Sequence, residues 1–268
     1  MITNQANRFE LNYGGKSIRF MSETVLQQDR IVALANYLQI EDEHDGSPVR
    51  LMEPDTIDWI KTFNPNETLY DIGANMGIFT IFSAIVAEVH VRAFEPSINE
   101  AKVLNTNIYL NELSDRVLSF GGCGLSDEQG FDSLYMQKFD DFQANFIGEK
   151  KDEYLDEVSM VFRQGCFKTS IDQLIFFHNL KRPDHIKIDV DGIEHLVIKG
   201  AQKTLEDRIP KSMNVEVNAR LPEHHDMVTN IAQFGYRVEG PDLTELEKLK
   251  DKSKAVCNDV INVFFYRL

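Results

Sequence analysis

Two kinds of hydrophobic pattern alternate along most of the chain. Short stretches in which every second residue is apolar are typical of strands, and apolar residues recurring every three or four positions are typical of amphipathic helices. Strands are predicted at 68–72, 90–94, 117–120, 185–190, 214–218, 236–240 and 260–268. Helices are predicted at 78–87, from residue 97, at 191–206 and from residue 222. The alternation predicts an α/β fold with one mostly parallel seven-stranded sheet and helices on both faces.

The region before this alternation has a different pattern. Residues 9–20 read as two short strands around Gly14 and Gly15, which is a hairpin signal. Residues 24–39 place apolar side chains at helical spacing. We therefore expect an N-terminal hairpin and helix within residues 1–53, packed on a main domain that spans 54–268.

One segment inside the main domain interrupts the rhythm. Residues 125–168 are polar with aromatic patches and have no helical stripe. The segment is either a surface hairpin with a long loop or a cover over a site, because long loops in compact domains are often functional. The second interpretation predicts that residues 131–167 border a ligand pocket with Phe139, Phe142 and Phe146.

Composition narrows the classes of partner. The formal net charge is −15, so the surface repels phosphate backbones and anionic lipid, and neither nucleic acid nor membrane is an expected partner. The first ten residues show no signal-peptide pattern, and no apolar run approaches the ~20 residues of a membrane span. Cys123, Cys166 and Cys257 have no metal-ligand spacing and are expected to be free thiols. These features predict a cytoplasmic protein.

A glycine turn follows the first strand of the alternating region. It carries Asp71, Gly73, Asn75 and Gly77 and leads into a helix. A dinucleotide fingerprint that starts at Gly73 would require glycine at the positions of Asn75 and Ile78, so a nicotinamide-dependent oxidoreductase is disfavoured. The spacing D-x-G-x-N-x-G instead resembles the first motif of S-adenosylmethionine-binding methyltransferases. A purely structural turn between strand and helix is the alternative.

An acidic residue ends the next strand. Glu95 lies 18 residues after Gly77. In doubly wound folds an acid at about this distance accepts hydrogen bonds from ribose hydroxyls, and a carboxylate has two oxygens with which to do so. We predict this role for Glu95, with a solvated acid at the strand end as the alternative.

A third group of candidate site residues lies in the segment 185–194. The period of two places Lys187 and Asp189 on one face of a strand, at the carboxyl end where open α/β sheets bind ligands. Glu216 occupies a comparable place on the following strand, so the carboxylates of Asp189 and Glu216 are expected to converge. An ion pair between Lys187 and one of these acids is the structural alternative. Asp191 is expected to open the next helix, with Glu194 as a cap.

Four motifs together resemble a known family. In chain order they are YDIGANMGIFT, AFEPS, TSIDQL and IKIDVDGIE, and the similarity to FkbM methyltransferases extends over residues 67–267. The resemblance implies a Rossmann-like class I methyltransferase fold with a final antiparallel strand, S-adenosylmethionine as the cofactor, and methyl transfer to a hydroxyl oxygen. It assigns cofactor binding to Asp71, Gly73, Asn75, Gly77 and Glu95. The later family motif is matched by Lys187, Asp189, Gly192 and Glu194, and Asp191 stands where members often have glutamate.

The resulting hypothesis is an O-methyltransferase for a small molecule or a glycan. Asp189 is the candidate general base, tuned by Lys187 or Glu216, and no metal is expected because no ligand spacing is evident. A divalent cation held by Asp189 with Glu194 or Glu216 is the competing mechanism. A module that binds S-adenosylmethionine without catalysis is the hypothesis from another class. By residue type alone, further candidate bases are His185, His195, His224 and His225.

Overall fold

The N-terminal region forms a small sheet and one helix. The computed structural model describes residues 3–5, 7–39, 53–137, 145–147, 159–240 and 260–268. The first elements are β1 (Thr3–Gln5), β2 (Arg8–Tyr13), β3 (Lys16–Met21) and α1 (Val25–Gln39). The predicted hairpin around Gly14 and Gly15 is confirmed, and both glycines have left-handed φ angles. Hydrophobic residues of this sheet and of α1 join the core cluster that also contains α2 (Pro54–Lys61).

The remaining elements follow the predicted order closely. They are β4 (Thr68–Ile72), α3 (Ile78–Phe82, continued by a π-helical turn at Ser83–Ala87), β5 (His90–Glu95), α4 (Ile98–Leu110), β6 (Val117–Gly121), β7 (Cys123–Leu125), β8 (Gly130–Met136), β9 (Asn145–Ile147), β10 (Phe162–Thr169), a π-helical turn at Gln173–Phe177, β11 (His185–Ile188), α5 (Glu194–Lys199), α6 (Gln202–Glu206), β12 (Ser212–Asn218), α7 (Pro222–Gln233), β13 (Tyr236–Glu239) and β14 (Val260–Arg267).

The central sheet has seven strands in the order β13-β14-β12-β11-β4-β5-β6. Strands β12, β11, β4, β5 and β6 pair in parallel, and β14 runs antiparallel to both of its neighbours. The predicted mostly parallel sheet with a final antiparallel strand is therefore confirmed. One hydrophobic cluster covers each face of the sheet. No helix among the described residues is long and apolar enough to cross a membrane.

The strand order reverses between β4 and β11, and this reversal positions the site. From β4 the chain goes outward to β5 and β6, and then returns to the other side of β4. Loops that leave adjacent strands in opposite directions open a crevice at the carboxyl ends. The loops after β4 and β11 are in close contact here, because a Cβ atom on Gly73 would lie 1.8 Å from the carbonyl oxygen of Asp189.

The segment that interrupts the main alternation contributes a second sheet, in the order β7-β10-β8-β9. Strands β8 and β10 pair antiparallel, with β9 between them in the chain and paired to β8. Ile147 of β9 lines the main cavity, so the segment also borders that cavity. The small core of this sheet contains Leu134, Met136 and Cys166, with Ile147 packed against them. Phe139 and Phe142 lie outside the described residues, as does Cys257. Cys123 and Cys166 are free thiols.

Two sequence-based boundaries are wrong near the end of β11. The predicted strand 185–190 ends at Ile188, and the helix expected from Asp191 begins only at Glu194. Asp191 and Gly192 have φ angles of 59° and 98°, which the right-handed helix excludes. The helix is also interrupted after Lys199, where a Cβ atom on Gly200 would lie 2.2 Å from the carbonyl oxygen of Ser126.

Candidate active site

A cavity of about 370 Å³ lies at the carboxyl ends of β4, β5, β11 and β12. Its volume falls in the usual range of small-molecule sites. The turn after β4 and the end of β5 form one part of its wall, and the residues after β11 with those on β12 and β14 form another. Arg30 of α1, Glu53 before α2 and Ile147 of β9 complete the wall. The cavity therefore draws on the N-terminal region and on the second sheet as well as on the central sheet.

The glycine turn bends sharply beside this cavity. Gly73, Asn75 and Gly77 all have left-handed φ angles, of 81°, 50° and 90°. The N–H groups of Gly73 and Ala74 both donate to the carbonyl oxygen of Phe94 at 3.0 Å, so the turn is fixed to β5. Glycine at position 73 is required both by its φ angle and by the adjacent backbone of Asp189. Gly73 and Asn75 line the cavity, whereas Gly77 lies one step behind as the N-cap of α3.

Glu95 is held in place by the backbone around it. Its Oε2 accepts a hydrogen bond from the N–H of Asn75 and its Oε1 accepts one from the N–H of Ser97, each at 2.8 Å. Each carboxylate oxygen can accept a second hydrogen bond, and Glu95 lines the cavity. Burial, reinforced by the nearby Glu100 carboxylate, raises the pKa of Glu95 to about 8. The side chain is thus preorganised to receive donors from a ligand.

Asp71 lies behind the turn and is absent from the cavity wall. It is buried within β4, where the hydroxyl of Thr80 donates to its Oδ2 at 2.5 Å, while its Oδ1 has no hydrogen-bond partner. In the sheet register Asp71 is opposite Lys187. Burial raises the pKa of Asp71 although the Lys187 ammonium opposes this shift. The geometry supports a role in stabilising the turn and the Lys187 side chain.

Lys187 and Asp189 form an ion pair at the edge of the cavity. The Lys187 Nζ lies 2.6 Å from Asp189 Oδ2, so the prediction that the two side chains share a face is confirmed. Lys187 is buried, and its ammonium also lies 4.7 Å from the centre of the Phe79 ring. Burial by itself would raise the pKa of Asp189, but the charge and hydrogen bond of Lys187, with a contribution from Arg30, hold it below its usual value. Asp189 is therefore a weak base.

Glu216 lines the same cavity from β12, beside Asp189. Its carboxylate makes no hydrogen bond or ion pair with any residue that the structure describes. Burial raises the pKa of Glu216 well above its usual value, and the negative charges of Asp189, Glu194 and Asp191 add to the shift. The two carboxylates that the sequence places together thus have opposite electrostatic environments.

Glu194 stabilises the loop that follows Asp189. Its Oε1 accepts the N–H of Val190 at 2.9 Å and its Oε2 accepts the N–H of Gly192 at 3.1 Å. The ring of His224 anchors the same loop, since its Nδ1 accepts the N–H of Asn218 and its Nε2 lies 3.1 Å from the carbonyl oxygen of Gly192. The predicted capping arrangement is wrong, because Asp191 does not open the helix and Glu194, its first residue, binds N–H groups of the preceding loop instead. Sequence reasoning missed the contribution of His224 because it depends on a contact with a distant helix.

None of the four candidate histidines, His185, His195, His224 and His225, lines the cavity. His185 lies at the opposite end of β11, and the rings of the others face the helices and loops outside the cavity. Burial lowers the pKa of His224 to about 4, so that ring is neutral near pH 7. Within the described ranges, no group of three or more histidine, cysteine, aspartate or glutamate side chains is arranged to hold a metal ion.

Three polar residues of the cavity wall, Arg30, Glu53 and Asn262, were missed by the sequence analysis. Glu53 Oε2 accepts hydrogen bonds from the Thr56 hydroxyl at 2.8 Å and from Asn262 Nδ2 at 3.0 Å, which joins the N-terminal region to β14. Arg30 occupies the inward face of α1, one position before the buried Ile31. An arginine within an apolar helical stripe is a signal that sequence reasoning had available.

The sheet order and the position of the cavity are those of a class I methyltransferase fold. The Methyltransferase FkbM domain family matches residues 71–238, which is more than half of the chain. The protein therefore belongs to the FkbM methyltransferase family and is an S-adenosylmethionine-dependent methyltransferase. No curated protein matches the sequence.

Solved structures share the fold at low sequence identity. The METTL16 methyltransferase domain is 11% identical, with 96% of this chain and 85% of that chain covered and a TM-score of 0.50. TYW2 from M. jannaschii in complex with AdoMet is 14% identical, with 100% and 90% covered and a TM-score of 0.42. Precorrin-6y C5,15-methyltransferase from Geobacter metallireducens is 11% identical, with 80% and 86% covered and a TM-score of 0.44. At these identities the likeness concerns the fold alone.

Proposed function

We propose that this protein transfers a methyl group from S-adenosylmethionine to a hydroxyl oxygen of a small molecule or a glycan. The observation that carries the proposal is the arrangement of one cavity. A glycine turn and the preorganised Glu95 lie on the β4–β5 side. On the β11–β12 side, Glu216 has no partner among the described residues and lies beside the Lys187–Asp189 ion pair. Cofactor and acceptor would thus meet in the same enclosed space.

The residues of the β4–β5 side fit the cofactor. Glu95 keeps free acceptor positions, which suit the two hydroxyls of a ribose, and the turn at Gly73 and Asn75 lets a ligand approach the backbone closely. The apolar side chains in the cavity wall suit a flat adenine ring and include Phe94, Pro96, Leu125 and Ile147. When bound, S-adenosylmethionine supplies a methyl group already activated by its sulfonium charge.

The chain itself must then align the acceptor and accept its proton. An alcohol has a high pKa, so its O–H bond has to break as the oxygen forms the new bond to carbon, and a side chain must take up the proton. The sequence-based hypothesis gives this role to Asp189. The geometry favours Glu216, because a carboxylate with a raised pKa and no partner is a stronger base than one paired with lysine. Lys187 and Asp189 would instead orient the acceptor through hydrogen bonds.

The electrostatics favour an acceptor other than nucleic acid. The chain has a formal net charge of −15, and acidic side chains predominate over basic ones in the cavity wall. Phosphate backbones bind to surfaces of the opposite charge. A compact acceptor with a single reacting hydroxyl fits this enclosure better than a polyanion does.

A methyl-transfer assay tests the proposal. The full chain would be incubated with S-adenosylmethionine labelled in its methyl group and with separate panels of hydroxylated small molecules, oligosaccharides and RNA. We expect label in an ether product from one of the first two panels, and activity that is unchanged by a chelator. Label only in RNA, or only on nitrogen or carbon, would refute the proposal. Activity that is lost with the chelator and restored by Mg²⁺ or Mn²⁺ would assign the carboxylates to a metal instead.

A further inference from the structure

Arg30 is a basic side chain in the cavity wall without a partner among the described residues. It makes no hydrogen bond or ion pair with the residues that the structure describes. It lies on the inward face of α1, between the buried residues Gln27 and Leu34, and is itself half-buried. Ordering an arginine on the core side of a helix costs side-chain entropy, and guanidinium groups in such places are usually paired with carboxylate or phosphate.

The electrostatics locate Arg30 at the acceptor side of the cavity. Its positive charge contributes to the low pKa of Asp189, which lines the cavity beside Glu216. The other cation in the wall is Lys187, which is already paired with Asp189. Arg30 therefore remains available to a ligand that reaches the Asp189 and Glu216 side.

The acids around Arg30 do not neutralise it. Glu53 is engaged by hydrogen bonds from Thr56 and Asn262. Burial raises the pKa values of Glu95, Glu100 and Glu216, so these acids carry less negative charge near neutral pH than their number suggests. An anionic group can consequently approach Arg30 without meeting a full complement of negative charges.

The part of the cavity wall that includes Arg30 lies outside the segment that the family model matches. Arg30, Glu53 and Asn262 all line the cavity, and all lie outside residues 71–238, which the family shares. Specificity for an acceptor is set by contacts of this kind, which differ while the cofactor site stays the same.

We propose that Arg30 binds an anionic group, a carboxylate or a phosphate, on the methyl acceptor and so orients the acceptor's hydroxyl toward Glu216. This inference rests on the proposed function and narrows its substrate class to hydroxylated acids and phosphorylated small molecules. The guanidinium fork of arginine would hold two oxygens of such a group at once, which fixes orientation as well as position.

Anion binding to the full chain tests the proposal without knowledge of the acceptor. Acetate and inorganic phosphate would be titrated at constant ionic strength, with and without saturating S-adenosylhomocysteine, and the thermal midpoint recorded. We expect a saturable rise for the wild type. Arg30→Gln should need an anion concentration at least about tenfold higher for the same rise in thermal midpoint, and Arg30→Lys should need an intermediate concentration. The matched control is Arg8→Gln, which removes an exposed arginine of the same N-terminal region and should behave as the wild type.

Two results would overturn the proposal. One is the absence of a saturable response in the wild type, or an equal response in Arg30→Gln. The other would come from calorimetric titration with S-adenosylhomocysteine and with 5′-methylthioadenosine, which lacks the amino acid part. We expect Arg30→Gln to change both affinities by less than about twofold. A loss of about tenfold for S-adenosylhomocysteine alone would place Arg30 on the cofactor's own carboxylate. Failure of the wild type to bind S-adenosylhomocysteine would instead refute the proposed function.

Discussion

At the amino end of the central sheet, buried polar groups form a closed network. The ring of His185 bridges Glu67 and Ser212 at 2.8 Å on each side, and the indole N–H of Trp59 donates to the same Ser212 hydroxyl at 2.9 Å. Lys211 adds an ion pair with Glu67 at 2.5 Å. Each of these side chains has its partners within the protein.

At the carboxyl end of the same sheet the pairing is incomplete. Lys187 and Asp189 satisfy each other, but Glu216 and Arg30 line the cavity without partners among the described residues. Glu95 keeps acceptor positions beyond those used by Asn75 and Ser97. Because polar groups left unpaired in a protein interior cost free energy, we infer that the charged side chains at this end are completed by a ligand. Residue type alone does not separate the two ends, since both contain buried acids and a buried lysine or histidine.

The largest effect is expected at Glu216. Glu216→Gln should lower kcat by about 10²–10⁴-fold, the usual range for a general base, and leave S-adenosylhomocysteine affinity unchanged. Its folding stability should not fall, because the substitution removes a charge that burial and neighbouring acids oppose. In the wild type, kcat should rise with pH to a higher midpoint than an ordinary glutamate would give, since the base acts when deprotonated. A greater loss in Asp189→Asn, with Glu216→Gln close to wild type, would return the role to Asp189.

A backbone substitution in the glycine turn should have the next largest effect. Gly73→Ala introduces a Cβ atom 1.8 Å from the Asp189 carbonyl oxygen at a φ of 81°. Strain of this kind costs about 1–3 kcal/mol before the overlap is relieved, and it should abolish tight cofactor binding. Gly15→Ala is the matched control, because its φ is 76° and nothing lies within 4 Å of the new atom. Equal stability losses in chemical denaturation of the two variants would show that contact between the two loops does not matter.

A substitution in the network at the amino end should change the free energy of unfolding and leave cofactor affinity unchanged. Glu67→Gln weakens contacts with His185 and Lys211 and should cost about 1–3 kcal/mol in the free energy of unfolding. Burial by itself would raise the pKa of Glu67, but hydrogen bonds led by Lys211 and His185 lower it to about 2. The folded-state pKa is below the unfolded one, so this stabilisation is complete above about pH 4.5 and is lost as pH falls toward 2. Denaturation curves across this pH range check the prediction. A comparable loss of cofactor affinity in Glu67→Gln would remove the distinction between the two ends.

The last expected effect is a pH dependence of ligand binding that arises from Glu95. A ribose hydroxyl favours the charged carboxylate, and the pKa of Glu95 is raised to about 8. Affinity for 5′-methylthioadenosine should therefore increase from pH 6 to 8, by up to about tenfold per pH unit, and level off above the pKa. Calorimetry on Glu95→Gln should give a flat profile. A flat profile in the wild type would show that this carboxylate does not titrate with ligand binding.

The fold could be predicted from the sequence because its signals are local. The strand at 68–72 and the left-handed positions at Gly73 and Gly77 depend on residue type and period alone. The late start of α5 could not be predicted, since it depends on the turn at Asp191 and on the contact of Glu194 with the backbone of Gly192.

The sequence predicted several residues of the site, but it did not predict their pairing or their relative basicity. The period of two places Lys187 and Asp189 together, but it does not say which of two converging acids the lysine pairs with, and that pairing decides their relative basicity. The apolar stripe of α1 places Arg30 on the inward face of the helix, but the cavity that this face meets is set by the tertiary packing of α1. Which acid Lys187 pairs with, and whether Arg30 reaches the cavity, are both decided by the folded structure.

We propose that the carboxyl end of the sheet binds S-adenosylmethionine through Glu95, whereas the amino end only stabilises the fold. Calorimetric titration of S-adenosylhomocysteine into the wild type, Glu95→Ala and Glu67→Gln tests it most directly. Above pH 8, where Glu95 is charged, we predict that Glu95→Ala lowers the affinity by about 10- to 150-fold, the cost of losing charge-assisted hydrogen bonds. Glu67→Gln should leave it within about twofold of the wild type. Wild-type affinity in Glu95→Ala, or an equal loss in both variants, would contradict the account.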